Sequence, residues 1–256
     1  MRRRKSAAFM IALGASIQFV FFASVVLLPG QDVDGNALLA KMDRNLNPES
    51  FEAYRKLINI EPNGRTKEFV LYTVKKGIDK VAALFLSPAS EKGRSTLRLE
   101  DNMWLYIPNV AKPIRITSLQ SIVGGVFNNA DILRLDYAVE YTVEKTEDRD
   151  GEYVLTCKAR TRTVAYDRLI IRVEKTTLLP VQIDCMTAAE MLIKTLFFKD
   201  VKNFGGGIAR PSVIETVSPL YKGYKSVMVF ANIRAREFKD EVFTLTFLPQ
   251  LDSLRR

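Results

Sequence analysis

Between Asn36 and Leu46 the apolar residues Leu38, Leu39, Met42 and Leu46 recur at the spacing of one helix face, and Pro48 lies just beyond them. The pattern then changes to short β-type runs. Phe51 to Ile60, Arg65 to Lys75, Ile78 to Leu86, Arg94 to Glu100, Met103 to Ile107 and Pro113 to Thr117 read as strands. They are punctuated by Glu61-Pro62-Asn63-Gly64, Gly77, Ser87-Pro88 with Lys92-Gly93, and Asp101-Asn102. Strands resume with Val139 to Glu147, Glu152 to Arg160, Val164 to Lys175, Leu179 to Met186, Met191 to Val201, Arg210 to Val217 and Lys225 to Ile233, with Val242 to Phe247 as a last candidate. About a dozen strands on short connections predict an antiparallel meander. The fold class is mainly β with a few short helices: a curved antiparallel sheet, or an incomplete β-barrel.

The middle of the chain departs from this pattern. Leu119, Ile122, Val123 and Val126 fall at i, i+3, i+4 and i+7 after Ser118, which suggests a helix interrupted by Gly124-Gly125. Asn128-Asn129 would cap a second short helix through Asp131, Ile132 and Leu135. Several strands are apolar on both faces. Phe69 and Leu71 alternate with Val70 and Tyr72, and Trp104 and Tyr106 alternate with Met103, Leu105 and Ile107. An antiparallel sheet usually keeps one wet face, so something must cover the second. The pattern fits a self-filled core and an apolar cavity equally. The segment Leu119 to Leu135 fits either an ordinary packed helix pair or a hinged lid.

The N-terminus has its own character. Arg2, Arg3, Arg4 and Lys5 precede an uncharged stretch from Ser6 to Gly30, mostly apolar from Ala7 to Leu28 and ended by Pro29-Gly30. A basic start, an apolar stretch and a breaker predict an export signal over residues 1–30. The 22-residue stretch is also long enough for an uncleaved membrane anchor. Residues 31–256 then form one exported domain, which reads as soluble. Without those four basic residues, 34 of the 38 remain against 29 acidic ones, a net charge of +5. The basic residues are spread along the strands, which does not argue for nucleic acid.

Composition narrows the chemistry further. Histidine is absent, which excludes Ser-His-Asp and Cys-His nucleophile systems and His-ligated zinc. Two cysteines are too few for a four-cysteine metal centre. Cys157 and Cys185 are read as free and buried, because a whole strand would separate them. Gly205-Gly206-Gly207 lacks the lysine and hydroxyl of a phosphate loop and reads as a bend. Glu147, Asp148 and Asp150 lie in a charged hairpin turn that reads as solvated. No metal, cofactor or catalytic residue is expected. A paired-carboxylate hydrolase would need a cleft holding two perturbed acids.

Several segments together resemble a known family. Leu99-Glu100-Asp101-Asn102-Met103-Trp104-Leu105-Tyr106-Ile107-Pro108 looks like the DNxWxYxP hairpin of outer-membrane lipoprotein-sorting proteins related to the periplasmic carrier LolA. Phe85-Leu86-Ser87-Pro88 with Lys92-Gly93, Phe127-Asn128-Asn129-Ala130-Asp131-Ile132, Tyr166-Asp167-Arg168 through Leu179-Pro180, and Lys194-Thr195-Leu196-Phe197-Phe198-Lys199-Asp200 fit the same pattern in the same order. The resemblance spans roughly residues 35–250. It implies an incomplete barrel whose mouth is closed by helices and whose apolar cavity takes acyl chains.

On that resemblance, the expected function is a non-enzymatic periplasmic carrier of lipoprotein acyl chains or phospholipid, moving them toward the outer membrane. Inner-membrane donor and outer-membrane acceptor proteins would be its partners. The cavity candidates are Phe69, Leu71, Phe85, Leu97, Leu99, Trp104 and Tyr106, and the lid candidates are Leu119, Ile122, Val123, Val126 and Ile132. Strand parity fixes which residues alternate, but not which face points inward. The alternative is an envelope protein-binding module, a stress sensor or adhesin-like protein, on the same fold, which would show a filled barrel.

Overall fold

A computed structural model describes residues 33–110, 112–121 and 123–255. The expected signal or anchor at residues 1–30 lies outside them. Helix α1 (Gly35–Leu46) starts at Asp34, whose carboxylate accepts from Asn36 N and Ala37 N at 2.9 and 3.1 Å. Its apolar stripe of Leu38, Leu39, Met42 and Leu46 is buried, as the spacing predicts.

Thirteen strands follow, all in one antiparallel sheet. The first six are β1 (Phe51–Ile60), β2 (Thr66–Lys76), β3 (Lys80–Ser87), β4 (Ser95–Leu99), β5 (Asn102–Tyr106) and β6 (Ile114–Ile116). Two single-turn helices, α2 (Asn129–Ile132) and α3 (Tyr137–Glu140), precede β7 (Tyr141–Arg149), β8 (Glu152–Ala159), β9 (Arg168–Glu174), β10 (Pro180–Met186), β11 (Leu192–Asn203), β12 (Ala209–Val217) and β13 (Lys225–Ala235).

The expected meander holds within each half. The halves join where β1 pairs with β13, from Phe51 opposite Ala235 to Ile60 opposite Lys225. Strands β6 and β7, adjacent in sequence, are therefore the two free edges. Register shifts at Tyr54/Arg55 against β13, at Val70/Leu71 against β3 and at Val143/Lys145 against β8 bend the sheet, as bulges do. The two halves also meet through their connections: Thr163 Oγ1, between β8 and β9, donates to Asp101 Oδ2 in the β4–β5 turn at 2.8 Å. Opposite partners of Leu169 are Cys157 and Cys185, so one strand separates the two buried free thiols.

Both faces of the first half-sheet are covered, by different means. On the inner face, α1, α2 and α3 share one apolar cluster with residues such as Leu57, Leu71, Phe85, Ile171 and Ile233. On the outer face, Tyr72, Val74, Ala82, Leu84 and Leu97 pack under Phe238, Val242, Phe243, Leu248 and Leu251 of the C-terminal segment. The candidate strand Val242 to Phe247 is thus corrected: the segment forms two 3-10 turns, Asp240–Phe243 and Leu248–Arg255. Ser95 Oγ donating to Leu248 O at 3.0 Å, and Lys76 and Lys80 on Asp240 at 3.0 and 3.3 Å, hold it across the strands rather than in a ladder. Among the described residues, no helix is long and apolar enough to cross a membrane.

Candidate functional site

The inner face of the sheet is occupied by residues 123–140. The helix expected from Leu119, Ile122, Val123 and Val126 does not form. Residues 117–121 and 123–128 are irregular, and Gly124 and Gly125 have φ of 70° and 73°, a region a right-handed helix cannot use. Only α2 matches the second expected helix, with a reciprocal capping box between Asn128 and Asp131.

This irregular segment is seated by side chains of the sheet that reach its backbone. Asn59 of β1 donates to Val123 O and Gly124 O at 3.0 and 3.1 Å. Ser226 of β13 accepts from Val126 N at 2.9 Å and donates to Asn59 Oδ1 at 2.7 Å. Lys194 of β11 reaches Val126 O at 2.7 Å and Asp131 Oδ2 at 2.6 Å. Arg55 of β1 donates to Ile132 O at 2.6 Å, and Arg98 of β4 to Leu133 O at 3.3 Å. On the α1 side, Asp43 Oδ2 accepts from Ala138 N at 2.9 Å. Backbone groups that a helix would satisfy internally are satisfied here by the barrel wall.

Between these bonds the segment buries Val123, Val126, Phe127, Ile132, Leu133 and Leu135. Two voids among the described residues beside this segment are small, about 40 Å³ next to Arg55 and Arg134 and about 20 Å³ next to Tyr166 and Cys185. Two larger clefts open at the surface. One, about 500 Å³, lies between the end of α1 and the β11–β12 turn. The other, about 340 Å³, lies between Ile78, Arg98, Leu135, Val139 and Val164.

The sequence-predicted residues divide between the two faces. Phe69, Leu71 and Phe85 lie inside, in one cluster with Val123 and Ile132. Phe69 and Phe85 stack edge to face at 6.2 Å between centroids. Leu97, Leu99, Trp104 and Tyr106 belong to the outer cluster beneath the C-terminal turns, so the seven do not line one cavity. The register gives the reason: Ala82 opposes Leu97, which opposes Trp104, while the inner residues of these strands are Ala83, Thr96 and Leu105. Of the lid candidates, Val123, Val126 and Ile132 are buried, Leu119 is 59% exposed, and Ile122 lies outside the described residues.

Sequence reasoning passed over the polar residues that matter most here. Arg55, Asn59, Arg98, Lys194, Arg210 and Ser226 are buried polar groups on strands. Their signal was a polar residue at the buried parity of an apolar strand, as in Phe51-Ala53-Arg55-Leu57-Asn59. Burial, together with neighbouring cations, lowers the pKa of Arg55 and of Arg210 to about 9. Burial pushes the Asp43 carboxyl up to about 7, helped by repulsion from Asp136.

Gly125 is where the segment meets the wall most closely. A Cβ there would overlap Asn59 Oδ1 and lie 2.7 Å from Ser226 Oγ. Gly125→Ala is therefore expected to unseat residues 119–128 while leaving the sheet folded, with a cost of at least about 1–2 kcal/mol from the left-handed backbone alone. Amide hydrogen exchange read by mass spectrometry checks this. Unchanged protection over 119–128 would show that the contact is not limiting.

A family model described as "Uncharacterized protein" matches residues 77–250. None of the curated proteins matches the sequence. Solved structures do. A LolA superfamily protein from Nitrosomonas europaea is 24% identical, with 84% of this chain and 99% of that one covered at a TM-score of 0.76. A DUF1329 family protein from Desulfovibrio piger is also 24% identical, covering 84% and 97% at 0.72. A structure described as an outer membrane lipoprotein-sorting protein domain, from Vibrio parahaemolyticus, is 17% identical, covering 82% and 97% at 0.67.

Proposed function

We propose that this chain, which belongs to the family matched over residues 77–250 and is built on the fold of LolA superfamily proteins, is a non-enzymatic periplasmic carrier that binds acyl chains of lipoproteins or lipids where residues 123–140 now sit. The observation that carries this reading is the way the segment is held. It fills the inner face with apolar side chains, yet it is attached through separate side-chain bonds rather than a ladder of its own. Such a plug can leave without dismantling the sheet.

The energies suit an exchange. Six buried side chains of the plug are worth about 1.5–3 kcal/mol each, so roughly 9–18 kcal/mol in all. A fatty acyl chain of about fifteen buried CH₂ groups is worth about 12 kcal/mol. Replacing one by the other is close to balanced, which lets a carrier load and unload without holding its cargo irreversibly. The path toward the outer membrane, the export signal or anchor at residues 1–30, and donor and acceptor proteins on either side belong to the same proposal.

The filled interior also suits the second reading, a protein-binding module. The two differ in whether the plug leaves. In a bacterial host fed a diazirine-bearing palmitate, ultraviolet irradiation is expected to label the tagged full chain. The label should map to Phe69, Phe85 or residues 123–135. Label confined to Leu97, Trp104 or the C-terminal turns would refute loading of the inner face. No label above background would favour the protein-binding module.

A further inference from the structure

The barrel interior holds more positive charge than its carboxylates match. Lys75 pairs with Asp136 at 3.1 Å, Lys194 with Asp131 at 2.6 Å, and Arg98 with Glu140. Arg55, Arg134 and Arg210 have no carboxylate within salt-bridge distance among the described residues. Arg210 is fully buried and Arg55 nearly so. Asp131 lines the same void as Arg55 and Arg134, but its oxygens are taken by Lys194 Nζ, the Tyr166 hydroxyl and Asn128 N. Asp43 accepts from Ala138 N; burial lowers the pKa of Arg134, but Tyr137 and the charges of Asp43 and Asp136 raise it on balance, so of the three only Arg55 and Arg210 lack a nearby carboxylate.

The three guanidinium groups converge. Arg55 and Arg134 line the 40 Å³ void together with Asn47 and Phe230. Arg210 bonds Asn47 Oδ1 and lies 4.0 Å from the Phe230 ring centroid, and Arg55 lies 6.0 Å from the same centroid. Arg55 spends its donors on Thr73 Oγ1, Ile132 O and Met228 Sδ. Arg134 Nη1 and Arg210 Nη2 are sealed from solvent with no acceptor. Buried cations without an anion, and buried donors without an acceptor, each carry a penalty that a sequence normally avoids.

We propose that Arg55 and Arg134, with Arg210 behind Asn47 and Phe230 of the same wall, form a buried site for an oxyanion of the carboxylate or phosphate class, held in the void that Arg55 and Arg134 line. The guanidinium fork matches two oxygens of such a group better than it matches a spherical ion. The void exceeds the roughly 10–15 Å³ one water needs, so a small anionic group can enter. Burial and then Arg134 lower the pKa of Arg55, and burial, Arg134 and Arg55 lower that of Arg210, so an anion here would favour the charged forms. Arg134 belongs to residues 123–140, so the site exists while that segment is seated and is tested in that state, without acyl cargo.

The test is thermal unfolding of the full chain in a nonionic maltoside, exchanged into phosphate-free buffer, against inorganic phosphate with chloride at matched ionic strength as control. Phosphate is expected to raise Tm saturably, by about 5–10 °C at a hundredfold excess over Kd. Arg134→Met should weaken the response at least tenfold, whereas Lys222→Met, at an exposed position, should retain it. Arg55→Met serves if Arg134→Met does not fold. Hexyl phosphate acting at tenfold lower concentration would assign the site to an amphiphile headgroup. Equal potency would assign it to the free ion, and either supports the site. Phosphate and chloride acting alike, or an Arg variant responding as the parent does, would overturn it. Neither result touches the acyl-labelling outcome.

Discussion

Replacing Lys194 with methionine will release the plug while sparing the sheet. The ammonium makes two charged contacts to the segment, to Val126 O and to Asp131. Hydrogen bonds to charged groups are worth about 1.5–3 kcal/mol, so local opening of residues 120–133 should increase about 10- to 100-fold. Methionine keeps the length of the side chain and suits the apolar wall. The fast-exchanging amides should be those of the segment, while those of β8 to β10 keep their protection. Acyl labelling should rise in parallel, because less free energy is spent on the binding-competent open state. Uniform loss of protection across the sheet would instead make Lys194 a general stabiliser and remove the argument for a separable plug.

The Asp43→Asn variant is expected to change how stability depends on pH. Asp43 is 2% exposed, and burial raises its pKa from the ordinary 3.8 to about 7. The folded protein therefore binds a proton that the unfolded chain releases between about pH 4 and 7. Stability from this group is fully present below pH 4 and is lost as pH rises through 7. Three units correspond to about 4 kcal/mol. Asparagine keeps an acceptor for Ala138 N and does not ionise. Denaturant unfolding of both chains across pH 4–8 isolates the effect, since other acids titrate in both. The stability of the parent relative to the variant should fall by up to about 4 kcal/mol over that range. A constant difference would mean that Asp43 stays ionised, held by Arg134 more strongly than burial opposes it. Because Asp43 joins α1 to α3 beside the plug, the same titration would loosen that corner near neutral pH.

Much of the sheet was legible because its strands are short and sharply punctuated. Phe51 to Ile60 has the bounds of β1, and Glu152 to Arg160 overshoots β8 by one residue. The apolar i, i+3, i+4, i+7 pattern of Leu119, Ile122, Val123 and Val126 does not show where the backbone hydrogen bonds of this segment go. Here they go to Asn59, Lys194 and Ser226, far away in sequence. Val139 and Glu140 continue the strand pattern in sequence but end the single turn of α3, which Asp43 supports from α1. The cavity set failed at one step. Parity was right along each strand, but the phase between β3 and β4 depends on the turn at residues 88–94, and that phase put Leu97, Leu99, Trp104 and Tyr106 outside. The buried arginines were visible as polar residues at apolar positions, but a search for catalytic motifs passes over them.

The pairing of β1 with β13 sets an order of events in the cell. Synthesis delivers β1 to β6 first, and these can zip into a ladder by hairpins alone. The far edge of β1, Phe51 to Ile60, must then wait for the last strand of the chain. Pairing partners so remote in sequence slow the final step of folding. Until it occurs, the nascent half-sheet presents a ten-residue bare edge, the kind of surface on which strands of other chains add. The newborn protein is thus most vulnerable to aggregation just before its last strand is made, and a holding chaperone that masks Phe51 to Ile60 would shield it during that interval.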